Sequence, residues 1–182
     1  MRILLTFAGA TIAVLLMTGC LPQPDDVTPT PQPSSSPVFA SDEEALAAAE
    51  VAYGEYEIVS DTIFSEGGVQ PERLEEVAAG DFLVDSIHGF ENVQSQGLRS
   101  VGSSKFDQVT LQQFDPTSAG GGIVVTYLCE DVSEVDVLNS DGESVVSVDR
   151  PDRTYFQVTF DLADDGKTLL VSGREVWGDG AC

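Results

Sequence analysis

The feature that most constrains this chain is a change of hydrophobic period near Arg99. Before it, Leu46, Ala49, Tyr53, Tyr56, Ser60 and Ile63 recur at spacings of three and four, the stripe of an amphipathic helix. Ser41-Asp42-Glu43-Glu44 reads as a capping box ahead of that stripe, and Gly67-Gly68 as its end. Gln70-Pro71 opens a short second helix with Leu74 and Val77 on its apolar side. A third helix is expected over 81–95, with Leu83, Ile87 and Phe90 facing one way and Gly97 as its stop. After Arg99 the period is two. Residues 106–114, 123–129, 155–162 and 168–177 read as strands, and 135–138 with 144–148 as a hairpin about Asn139-Ser140-Asp141-Gly142. The 123–129 strand is apolar on both faces, so it is expected in the middle of a sheet covered on one side by helices. Helices first and antiparallel strands afterwards predict an α+β domain, three N-terminal helices packed on one face of a curved antiparallel sheet.

What precedes Ser41 reads differently. Arg2 gives a positive start, an uncharged and mostly apolar run extends from Ile3 to Met17, and Thr18-Gly19 lead into Cys20. This is the layout of a secretory signal. Met17-Thr18-Gly19-Cys20 resembles a bacterial lipobox, with Met17 where most carry Leu. The resemblance implies that 1–19 is a signal peptide, that the chain is cut before Cys20, and that Cys20 is diacylated. The protein is then expected on the extracytoplasmic face of the cell membrane, held by lipid. An uncleaved anchor is the alternative, but the apolar run falls short of the roughly 20 residues a membrane helix needs. Residues 21–40 hold six prolines, which fix φ and remove backbone donors, so neither helix nor sheet propagates there. With Cys20 they read as a tether, 20–40, reaching about 60 Å when extended. That leaves 41–182 as one domain.

Charge narrows the partners. The 182 residues include 31 acidic and 8 basic side chains, a formal net charge of −23. Arg2 is the sole charged residue before Cys20, so the remainder is one unit more negative still. A nucleic-acid surface needs basic stripes, and repulsion from nucleic acid and anionic headgroups is expected instead. With Cys20 assigned to lipid, Cys129 and Cys182 remain as an even pair in an oxidising compartment, which predicts a disulfide. A metal is the competing use of cysteine, but the spacing of a CxxC or Cys/His cluster is missing.

Several strings carry a wider resemblance: GLRSVGSSKFD (97–107), VTYLCEDVSEVDVLNSDGESVV (125–146), RPDRTYFQVTF (150–160) and LLVSGREVWGDGAC (169–182). Together with an opening helix bearing paired tyrosines, they resemble small actinobacterial surface lipoproteins of the NTF2-like, cystatin-like cone class. The resemblance covers 41–182. It implies a cone fold, supports the Cys129–Cys182 pairing, and carries no established activity. It also implies a homodimer through the outer sheet face, where Tyr155, Gln157 and Thr159 are candidates.

The chemistry-bearing residues are few. Enzymes on NTF2-like cones place an Asp base and Tyr donors between the first helix and the sheet, so the resemblance singles out Tyr53, Tyr56, Asp61, Tyr127 and Trp177 as pocket residues. Their structural role is simpler: large side chains filling the cone, with Asp61 on the helix surface. His88, the one histidine, sits at the edge of an apolar stripe and is expected at the surface. Asp136, Asn139, Asp141 and Glu143 fail as a calcium loop, because Val137 and Leu138 occupy early ligand positions. Asp141-Gly142 and Asp164-Asp165-Gly166 read as turns. Gly120-Gly121-Gly122 lacks the Lys-Ser/Thr of a phosphate loop. The sequence therefore supports no catalytic residue, metal or cofactor. It supports a non-catalytic surface protein that binds a small molecule or an envelope protein, the alternative being a pocket isomerase or hydrolase acting on a small apolar substrate.

Overall fold

The computed structural model describes residues 38–118, 122–180 and 182. The predicted signal peptide, Cys20 and the tether up to residue 37 lie outside the described residues. The first helix, α1 (Asp42–Ser65), begins where the capping box predicts. The Ser41 hydroxyl accepts from the Glu44 amide at 3.3 Å, and the Glu44 carboxylate accepts from the Ala40 amide at 2.7 Å, one residue further upstream than usual. Three acids in the first turn suit the positive end of the helix dipole. The helix ends at Gly67 and Gly68, both at positive φ. A Cβ on Gly68 would stand 2.2 Å from the Phe90 carbonyl oxygen, so the chain can pass there only as glycine.

The predicted second helix is a 3₁₀ turn, Pro71–Glu76, that buries Leu74 completely. The third, α2 (Gly80–Ser95), lies with Phe82, Leu83, Ile87 and Phe90 half-buried against the core. Six strands follow: β1 (Arg99–Val101), β2 (Lys105–Phe114), β3 (Val124–Asp131), β4 (Asp136–Leu138), β5 (Arg153–Leu162) and β6 (Leu169–Val176). The main sheet has the order β2-β3-β5-β6, all antiparallel, and β3 is an inner strand as its two apolar faces require. β3 and β5 pair without interruption from Val124 opposite Phe160 to Asp131 opposite Arg153. β2 is irregular near Gln108, which takes a positive φ.

One expected pairing differs. β4 pairs with β1 rather than with a second hairpin arm, and 144–148 contributes a single bridge, Leu138 to Ser144. The turn about Asn139 does form, its side-chain oxygen accepting from the Asp141 and Glu143 amides. Beyond it Val148 is 99% exposed, so a strand there would have had no apolar face to bury.

Successive β3 residues point to opposite faces. Val124, Leu128 and, across the ladder, Val158 and Phe160 face the helices, where they meet Ala45, Ala49, Tyr53, Tyr56, Ile63 and Leu74 in one cluster. Burying a side chain such as Phe160 contributes about 1.5–3 kcal/mol. On the opposite face Cys129 is joined to Cys182, with Cα atoms 6.0 Å apart, tying the C-terminus across the back of β3. The predicted disulfide is present.

Candidate functional site

Tyr53, Glu57 and Asp61 stand at i, i+4 and i+8, so α1 presents them along one line toward the sheet. Glu130 meets that line from β3 and Arg174 from β6. The Tyr53 hydroxyl donates to Glu130 Oε2 at 3.0 Å, and Arg174 Nη2 donates to the same oxygen. The Arg174 guanidinium lies over the Phe156 ring, 3.8 Å from its centroid, a stacking that suits a weakly hydrated planar cation. Glu130 is 9% exposed, and this pairing supplies the counter-charge and hydrogen bonds that a buried carboxyl needs. Burial pushes the Tyr53 hydroxyl well above its usual range, as does the nearby Glu130, although Arg174 opposes the rise. Burial alone would lower the Arg174 pKa, but Tyr53 and Glu130 more than offset it and the guanidinium stays protonated.

One turn along, the Ser104 hydroxyl contacts both Glu57 Oε2 and Asp61, while the Ser104 amide donates to Asp61 Oδ2 at 2.9 Å. Glu57 is also buried, at 9% exposure. That burial, with the Glu130 charge behind it, raises its pKa to about 7, against the opposing contacts of Ser104 and Arg174. A cleft of about 280 Å³ opens between α1, the β1–β2 turn and β4. Tyr56, Ser60 and Phe64 form its helical wall, Val135 and Val137 face them, and Glu57, Asp61, Ser104, Glu130 and Arg174 supply its polar groups. Arg150 closes one side, its Nη2 donating to the Val132 and Val135 carbonyls at 2.8 Å each. The arrangement offers three carboxyls, two guanidiniums and the Ser104 hydroxyl to a small polar molecule.

Of the five residues expected in a pocket, Tyr56 and Asp61 line this cleft, and Tyr53 is fully buried behind it, bonded to Glu130. Tyr127 and Trp177 lie elsewhere. They pack against each other at 4.7 Å between ring centroids, with Tyr155 stacked on Tyr127 at 6.0 Å, on the face of the sheet away from α1. Tyr127 shares its parity with Cys129 rather than with Leu128, which sets it outward. Tyr155, Gln157 and Thr159 share that outer face, as expected. His88 is exposed on α2. Asp165 behaves as a turn residue, accepting from the Lys167 and Thr168 amides. Among the described residues no group of three or more His, Cys, Asp or Glu is placed to hold a metal ion, and no helix is long and apolar enough to cross a membrane.

Sequence reasoning missed Glu57, Ser104, Glu130, Arg150 and Arg174. For Glu57 a signal was present, since a glutamate four residues after Tyr53 interrupts the buried stripe of α1.

No family model matches the chain, and no curated protein matches it. Two of the solved structures that match it are these. The intermembrane space region of the chloroplast protein ARC6 aligns over 72% of this chain and 95% of its own, at 12% identity and a TM-score of 0.52. A de novo designed β-sheet protein aligns over 76% of this chain and 92% of its own, at 13% identity and a TM-score of 0.32. At such identities the ARC6 likeness speaks to fold alone, and the fold it supports is α+β with helices and antiparallel sheet.

Proposed function

We propose that this is an exported, lipid-anchored surface protein whose NTF2-like domain binds a small polar ligand, without transforming it, in the cleft between α1 and the sheet. The observation that carries the reading is the way the polar groups of the cleft are engaged. Glu130 already accepts from Tyr53 and Arg174, and Asp61 from Ser104. Groups held in such pairs keep a fixed geometry toward whatever enters the cleft, which orients a ligand. The space is polar and about 280 Å³, at the small end for ligand sites. Ligand-observed saturation-transfer NMR with a library of small polar fragments tests this. Binders are expected, and Ser60→Trp, which fills the cleft, abolishes their signals. Binding that survives Ser60→Trp places the ligand site elsewhere and ends the proposal.

One observation favours a second reading, a pocket enzyme. Glu57 titrates at about 7, where a general acid or base works best. The polar lining suits that enzyme's apolar substrate poorly, and turnover of any fragment that binds would be its signature.

The lipid anchor is supported by the Met17-Thr18-Gly19-Cys20 string and the proline-rich segment behind it. Cys20→Ala is expected to abolish metabolic labelling by fatty acid. Undiminished labelling would refute acylation at this residue.

A further inference from the structure

We infer that Glu57, Ser104 and Asp61 form a proton-operated gate: one shared proton bolts the Ser104 side chain to α1, and its loss releases that bolt where the cleft meets a neighbouring groove. The gate concerns the fold, and stands whether or not the cleft takes the ligand proposed above.

Donor arithmetic is the first support. Ser104 has one hydroxyl hydrogen, yet its oxygen lies within hydrogen-bond reach of both carboxyl groups. A hydroxyl can donate once and accept. With both acids ionised, one carboxylate would face an oxygen that has nothing left to give it. With one acid protonated every contact is satisfied: Glu57 donates to Ser104 Oγ, and Ser104 donates to Asp61. The proton belongs on Glu57, since Asp61 also accepts the Ser104 amide. Glu57 is the more deeply buried of the two and faces Glu130.

The second support is position. A groove of about 290 Å³ adjoins the same three residues, lined also by Ile58, Thr62, Ser65, Gly102 and Ser103. Glu57, Asp61 and Ser104 line both this groove and the cleft, so they stand where the two spaces meet. The rest of the turn is anchored independently. Gly102 packs so tightly on the Glu134 carbonyl that a Cβ would stand 1.9 Å from its oxygen. Ser104 stands between that anchor and Lys105, where β2 begins its pairing with Asp131, so the proton acts on the Ser104 side chain and its contacts with α1.

The charged and titratable groups around Glu57 set the sign. Tyr53, Tyr56 and Asp61 face it from α1, Glu130 from β3, Arg174 from β6 and Arg150 from the β4–β5 connection. The tyrosines remain neutral; burial opposes a charge on Glu57 most, then Glu130 and least Asp61, against the Ser104 contact and Arg174. Folding raises the Glu57 pKa from 4.5 to about 7. The folded state therefore binds more protons than the unfolded chain between those values, and the bolted form loses stability as pH climbs through that window.

Hydrogen exchange at the Ser104 amide reads the gate directly. After correction for intrinsic rates, protection in the purified protein is expected to fall about tenfold between pH 6 and pH 8, one proton's worth across a midpoint near 7. Glu57→Gln, neutral at every pH and still a donor, should keep the pH 6 protection at pH 8. Equal wild-type protection at both pH values, or the same fall in Glu57→Gln, overturns the gate. The ¹³C shift of the Glu57 carboxyl supplies a check that needs no variant. A midpoint near 7 upholds the shared proton, and one near 4.5 refutes it.

Discussion

Each face of the main sheet is held by a different kind of bond. The face under α1 is closed by packing and by one enclosed ionic group, Tyr53–Glu130–Arg174. The outer face is closed by a covalent link, Cys129–Cys182, and by Arg153, which bridges Asp107 of β2 and Asp131 of β3 at 2.5 and 2.8 Å. The two arginines make similar contacts in number. They differ in solvent: Glu130 keeps 11% of its side-chain exposure, whereas Asp107 keeps 54%. What an ion pair is worth depends on how much water its partners have lost.

The largest effect is expected from the covalent link. A bridge spanning 53 residues of sequence constrains the unfolded chain by about 4 kcal/mol in the chain-entropy account. Urea unfolding of the protein with and without dithiothreitol should show a loss of that order. If reduction leaves the midpoint unmoved, the outer face is held by its side chains after all, and the contrast between faces fails on that side.

Next comes the enclosed group. Arg174→Met removes a cation while retaining an apolar stem over Phe156, and it leaves Glu130 buried without a counter-charge. A loss of about 3 kcal/mol is expected, at the lower end for breaking a buried pair because Arg174 keeps 23% exposure. Adding Glu130→Gln should recover most of it, since glutamine still accepts from Tyr53 and carries no charge. A double variant as unstable as the single one would show that Arg174 acts through packing, not through charge compensation.

The sequence exposed the two faces unequally. α1 could be placed because its cap, its stripe and its glycine stop lie within a few turns of one another, and Tyr53 and Tyr56 are inward because that stripe is continuous. β5 was equally readable, Phe156, Val158, Phe160 and Leu162 alternating with polar residues. β3 was not. With apolar residues on both faces, nothing local says whether Tyr127 or Leu128 turns toward the helices, and Tyr127 was assigned inward on analogy. The disulfide holds the answer, because Cys129 shares Tyr127's parity and must reach the C-terminus behind the sheet. The polar site was the least legible part. Glu130 and Arg174 stand on strands separated by β5, and only the register Phe156 opposite Leu128 and Val176 brings their side chains together. Glu57 alone betrayed itself locally, as a carboxyl on a buried stripe.

The smallest effect should fall on Arg153, and it tests the comparison most sharply. Its guanidinium touches two carboxylates, as many polar partners as many buried arginines have, so a count of contacts would rank it with Arg174 or above. Solvent reverses the ranking. Asp107 and Asp131 stay hydrated when the arginine is gone, and the Asp131 carboxylate keeps the Ser133 hydroxyl and amide contacts that already hold its pKa below the usual range. Nothing is stranded, so no desolvation cost is left uncompensated. Arg153→Ala is therefore expected to melt within the scatter of the parent protein, with any small difference erased in 1 M salt, where screening reaches about 3 Å. A loss matching that of Arg174→Met would mean that the outer face is as dry as the inner one in solution. The aromatic cluster of Tyr127, Tyr155 and Trp177 would then have to be covered by something that excludes water.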